Sequence, residues 1–141
     1  MDRIDKILNH DLFLYHLGKN NAAEADRRFC RHSMVHFLDV ARIGTIIALE
    51  EGLELDREWI YAAALLHDCG KHEQYENGTP HEQASARIAP EILKDCGFDD
   101  KETDVIVTAI SRHRDPEAAK EKNLNGVLYR ADKASRACFA W

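Results

Sequence analysis

The feature that most constrains this fold is a set of apolar helical stripes that each run into a histidine or a carboxylate. Ile106, Ala109 and Ile110, for example, precede His113 at the spacing i, i+3, i+4 and i+7, which places all of them on one helix face. The same pattern recurs at five polar residues: His36, His67, His81, His113 and Asp132. Burial of an unpaired imidazole or carboxylate is costly, and one shared metal centre would compensate all of them together. The stripes therefore predict helices that converge on a metal ion.

Helical periodicity dominates the chain, and no stretch alternates convincingly as a β-strand. We expect a first helix that closes near Gly18 and a second helix over roughly residues 22–51, which Gly52 ends. Asp56 is the expected N-cap of the next helix. The chain is thus predicted to be all-α, with about five to seven helices.

The C-terminal half carries further helix signals. Residues 79–82 (TPHE) predict a capping box with Thr79 at the N-cap, so that His81 falls in the first helical turn. Pro90 is expected to kink or divide that helix, and Gly97 to end it. Asp99 and Glu102 predict a second capping box.

Length and charge limit the classes of function. A chain of 141 residues suits one compact core, so we expect a single domain over residues 1–141. The formal net charge of −6 argues against a binder of polymeric nucleic acid, which carries a clustered basic excess. Every apolar run is far too short to cross a bilayer, and no membrane association is expected.

The cysteines and the chain ends bear on the compartment. Cys30, Cys69, Cys96 and Cys138 are widely spread and form no CxxC pair. The segment after Met1 is amphipathic, unlike a secretory signal. This difference favours reduced thiols in a cytoplasmic protein.

Trp141 ends the sequence without a helix stop signal, which favours a chain cut short at its C-terminus.

Three short motifs follow one another along the predicted helices. His36 is followed four residues later by Val-Ala, residues 62–68 read AAALLHD, and residues 131–133 read ADK. In this order they resemble the H…HD…D motifs of the HD-domain superfamily of metal-dependent phosphohydrolases. The resemblance implies an HD-domain helical bundle in which one divalent metal is held by His36, His67, Asp68 and Asp132. Small HD proteins of this layout are similar to bacterial nucleotide phosphohydrolases.

Two further stretches resemble the dinuclear branch of that superfamily. Residues 81–86 (HEQASA) are similar to its HExxGA element, with Ser85 in place of the usual glycine, and residues 110–113 (ISRH) are similar to its fourth histidine motif. The resemblance implies that His81 and His113 bind a second metal, and that Asp68 bridges the two. Whether one or two ions bind stays open, and the donor set suits Fe, Mn, Co, Ni or Zn.

The resemblance also implies catalytic and substrate-binding residues. Lys71 completes an HDxxK pattern with Asp68, where it would neutralise a substrate phosphate or steady the attacking, metal-activated water. We expect further contacts to a small phosphorylated substrate from His32, Arg112, Arg114, Lys133 and Arg136. His32 lies one turn before His36 on the same face, and we prefer His36 as the ligand because Val-Ala follows it at the expected offset.

Each of these residues also has a plainer interpretation. His81 could lie at an exposed helix start, His113 could contact phosphate between its two arginines, and Asp132 and Lys71 could be surface charges. At the level of function, a di-iron oxygenase of the HD type would need the same six ligands. A metal-stabilised nucleotide-binding module without turnover is the alternative outside enzymes.

Overall fold

The computed structural model describes residues 1–25 and 34–135, and helices make up most of this part. The helices are α1 (Asp2–Leu8), α2 (Asp11–Ala23), α3 (Met34–Glu50), α4 (Arg57–Leu66), α5 (Lys71–Asn77), α6 (His81–Asp95), α7 (Asp100–Ser111) and α8 (Leu124–Ser135), with a 3₁₀-helix at Pro116–Lys120. No β-strand occurs in the two described ranges, which confirms the all-α prediction. The six helices of ten or more residues fit the expected number, and the short α1 and α5 add to it.

Several helix boundaries differ from those predicted. The first amphipathic stretch forms two helices, because His10 adopts an extended conformation and its ring accepts a hydrogen bond from the backbone N–H of Leu12. The helix expected over 22–51 does not begin at residue 22, since α2 continues to Ala23. Residues 26–33 lie outside the described ranges, and α3 accounts for the remainder of that prediction. Pro90 lies inside α6 without dividing it.

The capping box predicted at Thr79 is wrong. The helix begins one residue later, with Pro80 as its N-cap, and the Thr79 hydroxyl donates to the side chain of Asn77. The backbone N–H of His81 is satisfied by Oε1 of Gln74 at 3.2 Å, a side chain from α5. By contrast, the N-cap at Asp56 and the capping box at Asp99 are confirmed.

Helix α4 lies at the centre of the bundle and packs against α1, α3, α6, α7 and α8. Residues 62–66 of this helix, AAALL, are all fully buried. The small alanines allow neighbouring helices to approach closely. The run is apolar on every side because helices cover it all round. Because His67 and Asp68 follow immediately, the central helix delivers both side chains into the interior, where each is 0% exposed.

Arg3 holds the N-terminal helix against the bundle through contacts that involve none of the histidines predicted to bind metal. Its guanidinium pairs with Glu58 at 2.9 Å and with Glu102 at 2.9 Å, and it lies 4.1 Å above the ring of Phe98. The indole of Trp59 donates a further hydrogen bond to Glu102. Arg3 therefore links α1 to α4 and α7.

None of the helices in the described ranges combines the length and apolar character needed to cross a membrane.

Candidate metal centre

Three helices bring the first group of predicted ligands together. His36 lies in the first turn of α3, His67 and Asp68 follow α4, and Asp132 lies in the last part of α8. The His36 Nε2 atom is 3.2 Å from Oδ1 of Asp132, and His67 Nε2 is 3.5 Å from the same oxygen. One donor atom from each of the four residues lies within 4.8 Å of the others. The arrangement could hold a single metal ion.

A second group forms around the other side of the same aspartate. Nε2 of His81, in the first turn of α6, and Nε2 of His113, just after α7, each lie 3.3 Å from Oδ1 of Asp68. Oδ2 of Asp68 instead faces His67 at 3.3 Å and His36 at 3.8 Å. The carboxylate of Asp68 thus presents one oxygen to each histidine pair, as a ligand shared by two ions would.

The rings of the ligand candidates are oriented by hydrogen bonds at their other nitrogen. Nδ1 of His67 donates to the carbonyl of Ala64 at 2.6 Å, and Nδ1 of His113 donates to the carbonyl of Ile110 at 2.7 Å. In the neutral ring, these bonds leave Nε2 as the unprotonated atom that faces the cluster. Metal-binding histidines are held in this manner by carbonyls and carboxylates.

His81 is oriented by an amide instead. Oε1 of Gln74 lies 2.8 Å from Nδ1 of His81 and accepts from the backbone N–H of the same residue. Because a backbone N–H can only donate, the contacting atom of Gln74 is its oxygen, and Nδ1 must also donate. His81 therefore presents an unprotonated Nε2 to the cluster, as His67 and His113 do in their neutral forms.

The electrostatics of the first group favour a cation. Burial would lower the pKa of His67, but the carboxylates of Asp68 and Asp132 raise it to about 10. Burial would likewise raise the pKa of Asp132, but hydrogen bonds from His36 and His67 hold it far below its usual range. Two buried carboxylates thus require positive charge between them, and a divalent ion supplies it in place of protons.

In the second group, the surroundings of His81 favour the neutral imidazole. Burial lowers the pKa of His81 to about 3 against the attraction of Asp68, and the nearby His113 and Lys71 add to the lowering. A neutral ring is the form that binds a metal. The donor set of the two groups, histidine nitrogen with carboxylate oxygen and no thiolate, fits a hydrolytic or redox metal and not a structural zinc.

Lys71, predicted to be catalytic together with Asp68, lies beside the cluster. It is the first residue of α5, is only 9% exposed, and places its Nζ atom 3.4 Å from Nδ1 of His81. Arg114 is exposed and close enough to lower the pKa of His81. Lys133 is also exposed and lies over the ring of Tyr129.

Arg112 is engaged elsewhere. Its guanidinium pairs with Asp115 at 3.1 Å and with Glu121, so it holds the segment around the 3₁₀-helix in place. His32 and Arg136, also predicted to contact substrate, lie outside the described residues.

Sequence reasoning missed three side chains that support the cluster: Asn20 and Ser85, which are buried, and Gln74, which is exposed. Asn20 follows Phe13 and His16 on the buried face of α2, and this polar residue on an apolar face could have drawn notice. His16 and His72, interpreted from sequence as structural or solvent-facing, form a buried pair with Nδ1 of His16 2.7 Å from Nε2 of His72.

Comparison with known proteins agrees with this geometry. The model of the HD domain family matches residues 34–137. An uncharacterized protein of Clostridium beijerinckii is 48% identical over 140 residues, which cover 99% of this chain and 87% of that protein. The crystal structure of a predicted HD superfamily hydrolase from an uncultured Thermotogales bacterium is similar with a TM-score of 0.65 and 27% identity, over 85% of this chain and 66% of that one. The chain belongs to the HD-domain family.

Proposed function

We propose that this protein is a metal-dependent phosphohydrolase that cleaves a phosphate ester or anhydride in a small substrate, with nucleotides as the favoured class. The observation that carries the proposal is the carboxylate of Asp68, whose two oxygens face two separate histidine pairs. HD domains bind divalent metals, and the residues present fit one or two ions. The Thermotogales protein is a predicted HD superfamily hydrolase, which is in line with this assignment.

The residues of the site have two roles: some would bind metal ions, and Lys71 would balance the charge of the substrate. His36, His67, Asp68 and Asp132 would hold the first ion, and His81 and His113 would hold a second that shares Asp68. A divalent ion at such a site polarises a phosphoryl oxygen and lowers the pKa of a bound water. Lys71 lies beside this cluster and carries the positive charge that a reacting phosphate group requires.

The surroundings of the cluster suit a small anionic substrate. Arg114 and Lys133 are exposed cations that directly follow the ligand candidates His113 and Asp132 in the chain, and guanidinium groups bind phosphate in a bidentate manner. The net charge of −6 over the whole chain opposes binding to a nucleic-acid polymer. Cys69 and Cys96 are free buried thiols, in line with the proposed cytoplasmic location.

The test combines metal analysis with a substrate screen. Protein purified without chelator is analysed by mass spectrometry, then assayed with Fe, Mn, Co, Ni and Zn against nucleotides, dinucleoside polyphosphates and simple phosphate esters. We expect phosphate release that Asp68→Ala abolishes, while Arg3→Ala, remote from the cluster, retains it. Oxygen uptake with iron and no phosphate release would instead identify an oxygenase. Nucleotide binding without turnover would identify a regulatory module.

A further inference from the structure

We propose that Asn20 and Ser85 are positioning residues of the metal centre, which act through the backbone of the loop that carries its shared ligand. This loop, residues 67–70 (HDCG), connects α4 to α5 and is named the metal-binding loop below. The proposal rests on the function proposed above, because it assigns these two side chains a role in metal affinity. Neither residue belongs to the cluster of ligands itself.

Asn20 reaches the metal-binding loop from α2. Its side chain is fully buried, and Nδ2 lies 3.0 Å from the carbonyl oxygen of Asp68 and 3.4 Å from that of Cys69. Its Oδ1 accepts the backbone N–H of His72 at 2.8 Å. Because that N–H must donate, the amide orientation is determined, and Nδ2 is the atom that faces the carbonyls. One side chain thus fixes the backbone on both sides of Lys71.

This contact falls on the residue that the two candidate ions would share. The carbonyl of Asp68 also accepts the backbone N–H of Lys71 at 3.0 Å, so Asn20 completes a small hydrogen-bonded unit. A rotation of the Asp68 peptide would displace its carboxylate relative to both histidine pairs. The position of Lys71 depends on the same unit, which links the cation beside the cluster to the ligand within it.

Ser85 reaches the same loop from α6. Its hydroxyl accepts the backbone N–H of Gly70 at 2.9 Å, and the side chain is fully buried. The two backbones are in close contact here, since a Cβ built on Gly70 would come within 2.8 Å of the main chain of Ala84 and Ser85. Ser85 lies one turn after His81 on the same helix, so its bond ties the loop to the helix of the second histidine pair.

The serine also explains a departure in the sequence. The element HEQASA at residues 81–86 has Ser85 where glycine is usual in the motif it resembles. A glycine would leave the buried N–H of Gly70 without this acceptor, and an unpaired buried N–H is costly. The hydroxyl is therefore a feature of this chain that compensates for the close approach of α6 and the loop.

The experiment compares metal affinity in two variants and a control. Asn20→Leu removes the amide without adding charge, and Ser85→Ala removes the hydroxyl. Arg3→Ala is the matched control. It breaks the ion pairs that join α1 to α4 and α7 through Glu58 and Glu102, and neither of these residues is a metal-ligand candidate. The Kd for Zn²⁺ is measured by competition with a chromophoric chelator, and the Co²⁺-loaded proteins are compared by visible absorption.

We expect each variant to raise the Kd by about 10- to 100-fold, the range found when side chains that orient metal ligands are lost. The Co²⁺ absorption should change in both variants. Arg3→Ala should lower the melting temperature and leave the Kd and the Co²⁺ spectrum as in the wild type. Should Asn20→Leu fail to fold, Ser85→Ala alone decides the matter, because it removes a single hydroxyl.

The possible failures are distinguishable. If wild-type protein binds no metal, the proposed function and this inference both fall. If the wild type binds metal and both folded variants match Arg3→Ala in Kd and spectrum, only the positioning role is overturned, and the metal centre stands.

Discussion

The Nε2 atoms of His81 and His113 lie 3.1 Å apart, although the residues are 32 positions apart in sequence. Two imidazole nitrogens bound at 2.0–2.1 Å to one tetrahedral ion would be separated by about 3.3 Å. The two rings are therefore already spaced for a common ion. Both also lie at the same distance from Oδ1 of Asp68, 3.3 Å.

The first prediction concerns this histidine pair. The double change His81→Ala with His113→Ala should lower metal content from near two ions per chain to near one, because all four ligand candidates of the other group remain. Mass spectrometry of the purified proteins measures this directly. A double variant that still carries two ions would show that the pair is not a metal site.

The second prediction concerns Lys71. Lys71→Ala should reduce turnover of the best substrate by about 100-fold or more, since the cation stabilises charge that develops on the phosphate. Metal content should remain near the wild-type value, because the ammonium is not a ligand. Lys120→Ala, whose side chain is 80% exposed, is the matched control and should retain full activity. Full activity in Lys71→Ala would make Lys71 a bystander.

The third prediction concerns stability. A chelator should lower the melting temperature of the wild type, because an ion present at 100 times its Kd stabilises the folded state by about 2.7 kcal/mol. Asp68→Ala should show no such shift, since it lacks the shared ligand. Differential scanning fluorimetry with and without chelator makes the comparison. Equal melting temperatures for the wild type in both conditions would count against a bound ion.

The fourth prediction compares two glycines. Gly70→Ala should destabilise the protein by about 1–3 kcal/mol through overpacking, because the new Cβ would lie 2.7 Å from that of Ala84 and 2.8 Å from main-chain atoms. Gly18→Ala is the control. It lies within α2 with nothing within 4 Å of a built Cβ, and it should stabilise by about 0.5–1 kcal/mol. Urea unfolding measures both, and a neutral Gly70→Ala would contradict the close approach of α6.

The fifth prediction concerns pH. The hydrogen bond from Arg3, aided by one from Trp59, lowers the pKa of Glu102 to about 2 from 4.5. Because the folded state has the lower pKa, the unfolded chain takes up the proton first as the pH falls. The stability that Glu102 contributes is therefore complete above about pH 4.5 and is lost as the pH falls towards 2.

The measurement compares wild type with Glu102→Gln in urea, from about pH 7 to about pH 3. Both proteins are kept in chelator, so that acid release of metal does not enter the comparison. The wild type should be the more stable at neutral pH, and the difference in free energy of unfolding should shrink with acidification. A difference that is the same at both ends of the range would rule out the ion pair as its cause.

The sequence alone indicated the helices and the ligand candidates. The ligands of the first group could be named because apolar stripes run into His67 and Asp132, and because the short motifs around them, including Asp68, resemble those of HD domains. Helical periodicity and burial of apolar faces are properties of short stretches, so they are visible without the tertiary fold. The caps at Asp56 and Asp99 were predictable for the same reason.

The tertiary structure decided what depends on contacts between distant segments. Only the packing of α5 against α6 brings Gln74 to the N–H of His81 and replaces the cap expected from Thr79. Only the packing of α2 and α6 around the metal-binding loop gives Asn20 and Ser85 their partners. Such hydrogen bonds join residues that no local period relates, because their geometry is set by how whole helices pack.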